Sequence, residues 1–134
     1  AFGHLDFAFD LGSGEDQEAL AQVRSQIVLQ SRLANKPQPI DSVTLDFRDP
    51  AKATEDARSS RNLGFGGKLL VHPAQVKAVK EAFLPSKEDV VWARKVLGIL
   101  EQDQHGAAAY EGQMIDYPVE LRARQILAQI EKVI

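Results

Sequence analysis

Apolar residues recur along the chain at two different spacings, and the spacing predicts which element each segment forms. Short apolar runs bounded by glycine or proline predict three buried strands, over residues 2–9, 40–47 and 68–71. Apolar residues three or four positions apart predict helices over residues 15–35, 50–63 and 74–83, of which the second begins at Pro50 and ends before Gly64. The predicted order is therefore strand and helix in alternation, three times over.

This alternation is typical of α/β proteins, in which helices cover parallel strands in a doubly wound sheet or a (β/α)8 barrel. Three strand–helix units cannot close a barrel, and an open fragment would expose strand edges. The chain also begins at Ala1 without a methionine and enters an apolar run at once. We therefore expect it to be part of a longer protein.

Residues 85–134 depart from the alternation. They predict a helix from about residue 86 to residue 104, a hairpin over residues 106–115 and a last helix that begins at Pro118. The last helix has an apolar stripe that includes Val119, Ala123, Ile126, Ile130 and Val133. Such a stripe needs a surface to bury it, and a neighbouring subunit would provide one.

Charge and composition exclude several classes of function. The chain has 134 residues, with 16 lysines and arginines against 19 acidic residues, so its net charge is −3. Because a nucleic-acid binder needs a basic face, and a membrane span needs about 20 apolar residues, we expect neither partner. The absence of cysteine excludes disulfides, thiolate metal sites and a cysteine nucleophile. It is also compatible with the reducing cytoplasm, where we expect the protein to act.

Three aspartates are candidates for chemistry. Asp6 is predicted near the C-terminal end of the first strand, where barrels and open α/β sheets bind ligands. Its oxygens suit Mg²⁺, and a solvated or loop-capping aspartate is the alternative interpretation. Asp46 follows the second strand, in a cluster with Arg48 and Asp49, and could meet a polar substrate there. The alternative is an N-cap at Asp49 with a surface ion pair. Asp116 precedes the last helix, where an aspartate is an ordinary N-cap.

His72 follows the third strand, in the sequence His72-Pro73-Ala74-Gln75. A histidine at this point could act as an acid or base near neutral pH, or it could form a rigid turn that helps to shape a pocket. The glycines before Lys68 do not make a phosphate loop, because a strand rather than a helix follows them. No histidine spacing of a metal site, such as HExxH, is present.

Four segments of the chain, FGHLDFAFDLG, IDSVTLDFRD, LGFGGKLLVHPAQV and EGQMIDYP, occur in this order. Together they resemble the C-terminal half of the citrate lyase beta-subunit-like family, in the HpcH/HpaI aldolase and citrate lyase superfamily. The resemblance implies a TIM (β/α)8 barrel whose last three β/α units are residues 1–84. Residues 85–134 would then be a helix–hairpin–helix extension that packs on an adjacent subunit of a trimer or hexamer.

The resemblance also implies a reaction and a site. The family forms or cleaves a carbon–carbon bond in 3-hydroxyacyl thioesters, such as citryl-, malyl- or citramalyl-CoA, with Mg²⁺ as cofactor and coenzyme A or an acyl carrier as the thiol. Asp6 matches the metal-binding aspartate, and Asp116 matches a catalytic aspartate that reaches the active site of an adjacent subunit. His72 and Gln75 fall where the family builds part of the acyl-CoA pocket, and Asp46 has a looser match.

Two residues of the family pattern are missing from this chain: the second metal carboxylate, a glutamate on an earlier strand, and the substrate-binding arginine. One carboxylate is a poor Mg²⁺ site, so we predict that these 134 residues alone, without the N-terminal half of the barrel, are inactive. Two alternatives to the lyase remain. One is a hydrolase of the same thioesters with Asp116 as base, and the other is a non-catalytic oligomerisation segment in which Asp6 and Asp116 are only caps.

Overall fold

A computed structural model describes residues 1–102, 109–110 and 112–131. The chain divides into two compact units, Ala1–Phe83 and Leu84–Ile134. Within the described residues the structure is mostly helical, with short strands in each unit. None of the described helices combines the length and the apolar character that a bilayer span requires.

The first unit contains four α-helices and two strands in the order α1 His4–Leu11, α2 Gln17–Leu33, β1 Ile40–Asp41, α3 Pro50–Leu63, β2 Gly67–Lys68 and α4 Val76–Phe83. A short 3₁₀ helix, Pro73–Gln75, leads into α4. Aspartates cap two of the helices, because Asp16 accepts a hydrogen bond from the Ala19 amide and Asp49 accepts two at the start of α3. The predicted helices over residues 15–35, 50–63 and 74–83 are thus confirmed, with small changes at their ends.

The strand predicted over residues 2–9 is wrong, because this segment forms α1. The Phe7 amide donates to the Gly3 carbonyl in the first helical turn, and Gly12 ends the helix in the left-handed conformation, at φ 68°. The apolar run does not form one buried face, since Phe9 is 90% exposed. Only Phe2 lies alongside a strand, with its amide donating to the Ile40 carbonyl over 2.9 Å. Asp6 therefore belongs to the first turn of a helix and not to a strand end.

The other two predicted strands form where expected but are much shorter. β1 and β2 pair in parallel, with Ile40 opposite Gly67 and Asp41 opposite Lys68. One further ladder hydrogen bond joins the Leu69 amide to the Asp41 carbonyl, over 2.9 Å. The remainder of segments 40–47 and 68–71 is not strand. The parallel pairing is confirmed, whereas the assignment of this unit to the end of a barrel stays a prediction.

The core of the first unit lies between α3 and α4, where both helices contribute small or branched apolar side chains. Its buried members are Ala53, Ala57, Val79 and Ala82. Leu20 of α2 and Phe65, which follows α3, are also almost fully buried. Gly64 makes the close approach of α3 to α2 possible: its φ is 100°, and a Cβ there would lie 2.9 Å from Val28.

The second unit has the predicted helix–hairpin–helix order, with α5 Lys87–Gln102, β3 Ala109–Tyr110, β4 Gln113–Met114 and α6 Tyr117–Glu131. The two strands pair antiparallel. Residues 103–104 of the predicted first helix, residues 106–108 and 111 of the predicted hairpin, and Val133 lie outside the described residues. The core is wholly apolar, and its buried members are Ala93, Val96, Ile115, Ala123 and Ile126.

Candidate functional site

A cavity of about 590 Å³ opens in the first unit where β1 and β2 end. Because parallel strands end at the same edge, the residues that follow them come together there. The polar lining residues include His4, Ser42, Asp46, Lys52, Asp56 and Lys68. A larger groove of about 870 Å³ lies between α2 and α3, but strand-end residues do not line it. We therefore place the candidate site in the smaller cavity.

His4, Ser42 and Lys68 form a connected cluster on the wall of this cavity. The Ser42 hydroxyl accepts a hydrogen bond from the His4 amide over 3.2 Å and also contacts Nδ1 of the His4 ring. The Lys68 ammonium donates to the Ser42 carbonyl over 2.6 Å. Burial lowers the pKa of His4, and the nearby charge of Lys68 lowers it further. Burial also lowers the pKa of Lys68, although the Asp41 carboxylate opposes this effect.

In the wall of the cavity, a buried ion pair joins α2 to β1. The Arg24 Nη2 donates to the Asp41 Oδ2 over 2.5 Å, and the Ser60 hydroxyl of α3 donates to the same oxygen over 2.6 Å. Burial raises the pKa of Asp41, but the hydrogen bonds from Arg24 and Ser60 outweigh it, so the pKa lies below its usual range. Asp41 is 1% exposed, which makes this pair a structural support of the cavity wall.

Gln75, predicted as a pocket residue, lies almost fully buried behind the strand ends. Its Nε2 donates to the Thr44 carbonyl over 2.8 Å, and its Oε1 accepts from the Val71 amide over 3.1 Å. These bonds join the two segments beyond the end of the strand ladder. The Thr44 hydroxyl also donates to Asp56, over 2.7 Å. Gln75 does not line the cavity. Its hydrogen bonds hold together the two segments that follow β1 and β2, of which the first contributes lining residues.

His72 is exposed and has the contacts of a turn residue. Its Nδ1 accepts a hydrogen bond from the Ala74 amide over 3.1 Å, which caps the 3₁₀ helix. Its ring stacks on Phe47, with 4.6 Å between the ring centroids. These are the contacts of the rigid turn that the sequence allowed as one alternative. A part for His72 in substrate binding stays a prediction.

Asp46 and Asp6, both exposed, differ in their relation to the cavity. Asp46 lines it, and its Oδ1 accepts from the Arg48 amide over 3.0 Å. Asp6 is not a lining residue, and its side chain makes no hydrogen bond or ion pair with the described residues. Its unengaged carboxylate fits one ligand position of a hard cation. The described residues contain no group of three or more His, Asp or Glu side chains that could complete a metal site.

Asp116 lies in the second unit and caps α6. Its Oδ1 accepts from the Val119 amide over 3.1 Å, and its carbonyl accepts from the Glu120 amide over 3.0 Å. Asp116 is exposed, and so are two apolar residues close to it in the sequence, Met114 at 75% and Tyr117 at 73%. This is the N-cap geometry that the sequence predicted as the alternative to catalysis, and an exposed cap can still serve a reaction.

The sequence did not single out His4, Ser42 or Lys68 as a group. Ser42 was placed inside a strand and His4 in another, so their contact across 38 positions was not predicted. The signal that points to Ser42 and Lys68 is positional: each stands at the carboxyl end of a parallel strand. Nothing local marks His4.

The chain resembles several curated proteins, although no family model matches it. It is 38% identical over 132 residues to a citrate lyase subunit beta-like protein of Deinococcus radiodurans, covering 95% of this chain and 46% of that protein. It is 34% identical over 131 residues to the mitochondrial citramalyl-CoA lyase of Rattus norvegicus, covering 94% of this chain and 38% of that protein. The chain thus spans less than half the length of these relatives.

The chain also resembles a solved structure in its fold. The protein CitE from Mycobacterium tuberculosis, in complex with magnesium, acetoacetate and coenzyme A, matches with a TM-score of 0.82 and 32% identity. The match covers 96% of this chain and 50% of that one. The structural neighbours are TIM-barrel proteins. The likeness extends over both units of the chain.

Proposed function

Because the chain belongs to the citrate lyase subunit beta-like family, within the HpcH/HpaI superfamily, we propose that its protein is a carbon–carbon lyase of coenzyme A thioesters. The observation that carries the proposal is the match, along nearly the whole chain, to a structure that holds magnesium, acetoacetate and coenzyme A. Substrates would be 3-hydroxyacyl thioesters of the citramalyl, malyl or citryl type. Cleavage of such a substrate gives a keto acid and a shorter thioester.

The proposed cleavage needs a base and an acid. A base takes the proton of the 3-hydroxyl group, the carbon–carbon bond breaks as the carbonyl forms, and the electron pair moves to the thioester as an enolate. Protonation of the enolate completes the reaction. We assign proton transfer to Asp116, contributed by a neighbouring subunit of a homo-oligomer. Its exposed carboxylate, flanked by exposed Met114 and Tyr117, supports this assignment because it is free to meet another surface.

In this proposal Asp6 supplies one ligand of an Mg²⁺ site, which its exposed and unengaged carboxylate supports. Mg²⁺ would polarise the hydroxyl or keto oxygen of the substrate and orient its carboxylate. A second carboxylate must come from outside this chain, and so must the substrate-binding arginine. Asp46 would contact the polar part of a substrate, and its place in the lining of the cavity supports this role.

The experiment that tests the proposal is a product assay on the intact protein with citramalyl-, malyl- and citryl-CoA. Release of a keto acid supports the lyase. Release of free coenzyme A with an intact hydroxy acid would instead support a thioester hydrolase. Failure to turn over any of the three, in a folded protein with Mg²⁺ present, contradicts both and favours the non-catalytic oligomerisation segment.

Asp116→Asn separates catalysis from capping, because asparagine is an equally good N-cap but cannot accept a proton. We expect kcat to fall by about 10²–10⁴-fold with the melting temperature unchanged. Asp49→Asn is the matched control, since it changes the cap of α3 in the same way and should leave kcat unchanged. A fully active Asp116→Asn enzyme would remove Asp116 from the reaction.

A further inference from the structure

Helix α1, which carries Asp6, begins without a capping side chain of its own. Its N-cap residue is Gly3, which makes no side-chain hydrogen bond. The amides of a first helical turn have no partner within the helix, so a partner must come from elsewhere. The His4 amide finds one in the Ser42 hydroxyl, 3.2 Å away and 38 positions along the chain. Ser42, which follows β1, thus supplies the hydrogen-bond acceptor that an N-cap side chain of α1 would provide.

Ser42 is itself held firmly in place. Its side chain and backbone are 93% buried, its hydroxyl also contacts the His4 ring, and its carbonyl accepts from the Lys68 ammonium over 2.6 Å. The segment before α1 is fixed to the same strand, since the Phe2 amide donates to the Ile40 carbonyl. The first turn of α1 and the segment before it are therefore attached to β1, and Lys68 of β2 contacts the same Ser42.

We infer that Ser42 is a positioning residue that holds the first turn of α1, and with it the Asp6 carboxylate, at the strand ends. Asp6 lies two residues after His4 in that turn, and its side chain has no hydrogen bond or ion pair with the described residues, so its position depends on the helix that carries it. The metal-binding part of this inference rests on the proposed function. Residues that orient a metal ligand without touching the metal change its affinity strongly when they are removed.

The structural part is tested by amide hydrogen exchange, followed by NMR or mass spectrometry. Ser42→Ala removes the hydroxyl, so we expect exchange over residues 4–7 to rise about tenfold, as for a lost N-cap. Ser42→Thr retains a hydroxyl and should restore protection. Ser59→Ala is the matched control, because the Ser59 hydroxyl contacts Arg24 and not α1. Unchanged exchange over residues 4–7 in Ser42→Ala overturns the inference.

The metal-binding part is tested by the affinity of the intact protein for Mn²⁺, a spectroscopic substitute for Mg²⁺. We expect Ser42→Ala to weaken binding about tenfold, with Ser42→Thr and Ser59→Ala close to wild type. If Asp6→Asn abolishes binding but Ser42→Ala leaves it unchanged, the positioning role is wrong and the proposed function stands. If Asp6→Asn itself leaves Mn²⁺ binding unchanged, the proposed metal role of Asp6 fails and this inference loses its metal-binding part. In that case amide exchange alone tests whether Ser42 holds the first turn of α1.

Discussion

The two units of the chain are built from different kinds of interior. Seven polar or charged side chains are buried among the described residues, and all belong to the first unit: Arg24, Asp41, Ser42, Thr44, Asp56, Ser60 and Gln75. Every buried side chain that the structure describes in the second unit is apolar. The polar interior of the first unit surrounds the ends of β1 and β2, beside the candidate site.

The two interiors differ because one packs two helices together and the other must satisfy the backbone groups of irregular segments. Apolar packing between α5 and α6 needs only complementary shape, and it tolerates small shifts of one helix against the other. The segments after β1 and β2 have few ladder hydrogen bonds, so side chains such as Gln75 must satisfy their backbone groups. Hydrogen bonds are directional, so they fix the positions of these backbone groups, and a functional site requires fixed positions. The cost is that the loss of one partner leaves the other group buried and unpaired.

The largest expected effect is the loss of the buried ion pair. Asp41→Ala leaves the Arg24 guanidinium buried without its partner, and we expect the free energy of unfolding of the first unit to fall by about 3–5 kcal/mol. Urea titration followed by circular dichroism measures it. In the second unit, Glu120→Ala breaks an exposed ion pair with Arg124 and should cost less than about 1 kcal/mol. Equal losses in the two variants would contradict the contrast between the units.

The second largest effect is expected in the apolar core of the second unit. Ile126→Ala removes three carbon atoms from a buried position, which should cost about 2–4 kcal/mol. Trp92, the single tryptophan of the chain, packs against this core, so its fluorescence reports the unfolding of this unit. Leu121→Ala, at a position 42% exposed on the same helix, is the control and should have little effect. A comparable loss in Leu121→Ala would show that burial in α6 is misassigned.

The sequence predicted the helices of both units because their signals are local. The apolar spacing of α3, together with Asp49, Pro50 and Gly64 at its ends, is contained within sixteen positions of the chain and marks a helix by itself. The apolar stripe predicted for the last helix likewise includes Ala123 and Ile126, two residues of the core of the second unit. Buried residues that recur at the spacing of a helix can be predicted from a single sequence.

The strands and the site were less predictable, because they depend on contacts between distant positions. The apolar run in segment 2–9 resembled a strand, but a strand needs a partner along its length and only Phe2 has one. The contact of His4 with Ser42 and that of Gln75 with Thr44 join residues 38 and 31 positions apart. The resemblance to the family identified Asp6 and Asp116 as candidates, but not the residues that hold their surroundings.

Acid should weaken the first unit, though less than the loss of the Asp41 side chain, because a protonated carboxyl group keeps its volume and hydrogen-bonding atoms. The pKa of Asp41 is lower in the folded protein than in the unfolded chain, since Arg24 and Ser60 favour the ionised form despite burial. The stability it contributes is therefore complete above about pH 4, the ordinary aspartate pKa, and is lost as the pH falls through the lower folded value. The unfolding free energies of wild type and Asp41→Asn, measured from pH 7 downward, should draw closer together as the pH falls below about 4. A constant difference would contradict the shift.

The smallest expected effect concerns the cap of α6. Its residue, Asp116, is also the one to which we assign proton transfer. Asp116→Ala removes the acceptor for the Val119 amide and should lower the free energy of unfolding of the second unit by about 1 kcal/mol, as measured by Trp92 fluorescence. Asp116→Asn keeps the acceptor and should retain wild-type stability. If Asp116→Ala costs nothing, the cap is not a stabilising contact, and the stability of this unit comes from its apolar core alone. If the alanine variant loses stability while the asparagine variant loses only turnover, one exposed carboxylate both caps the helix and takes part in the reaction.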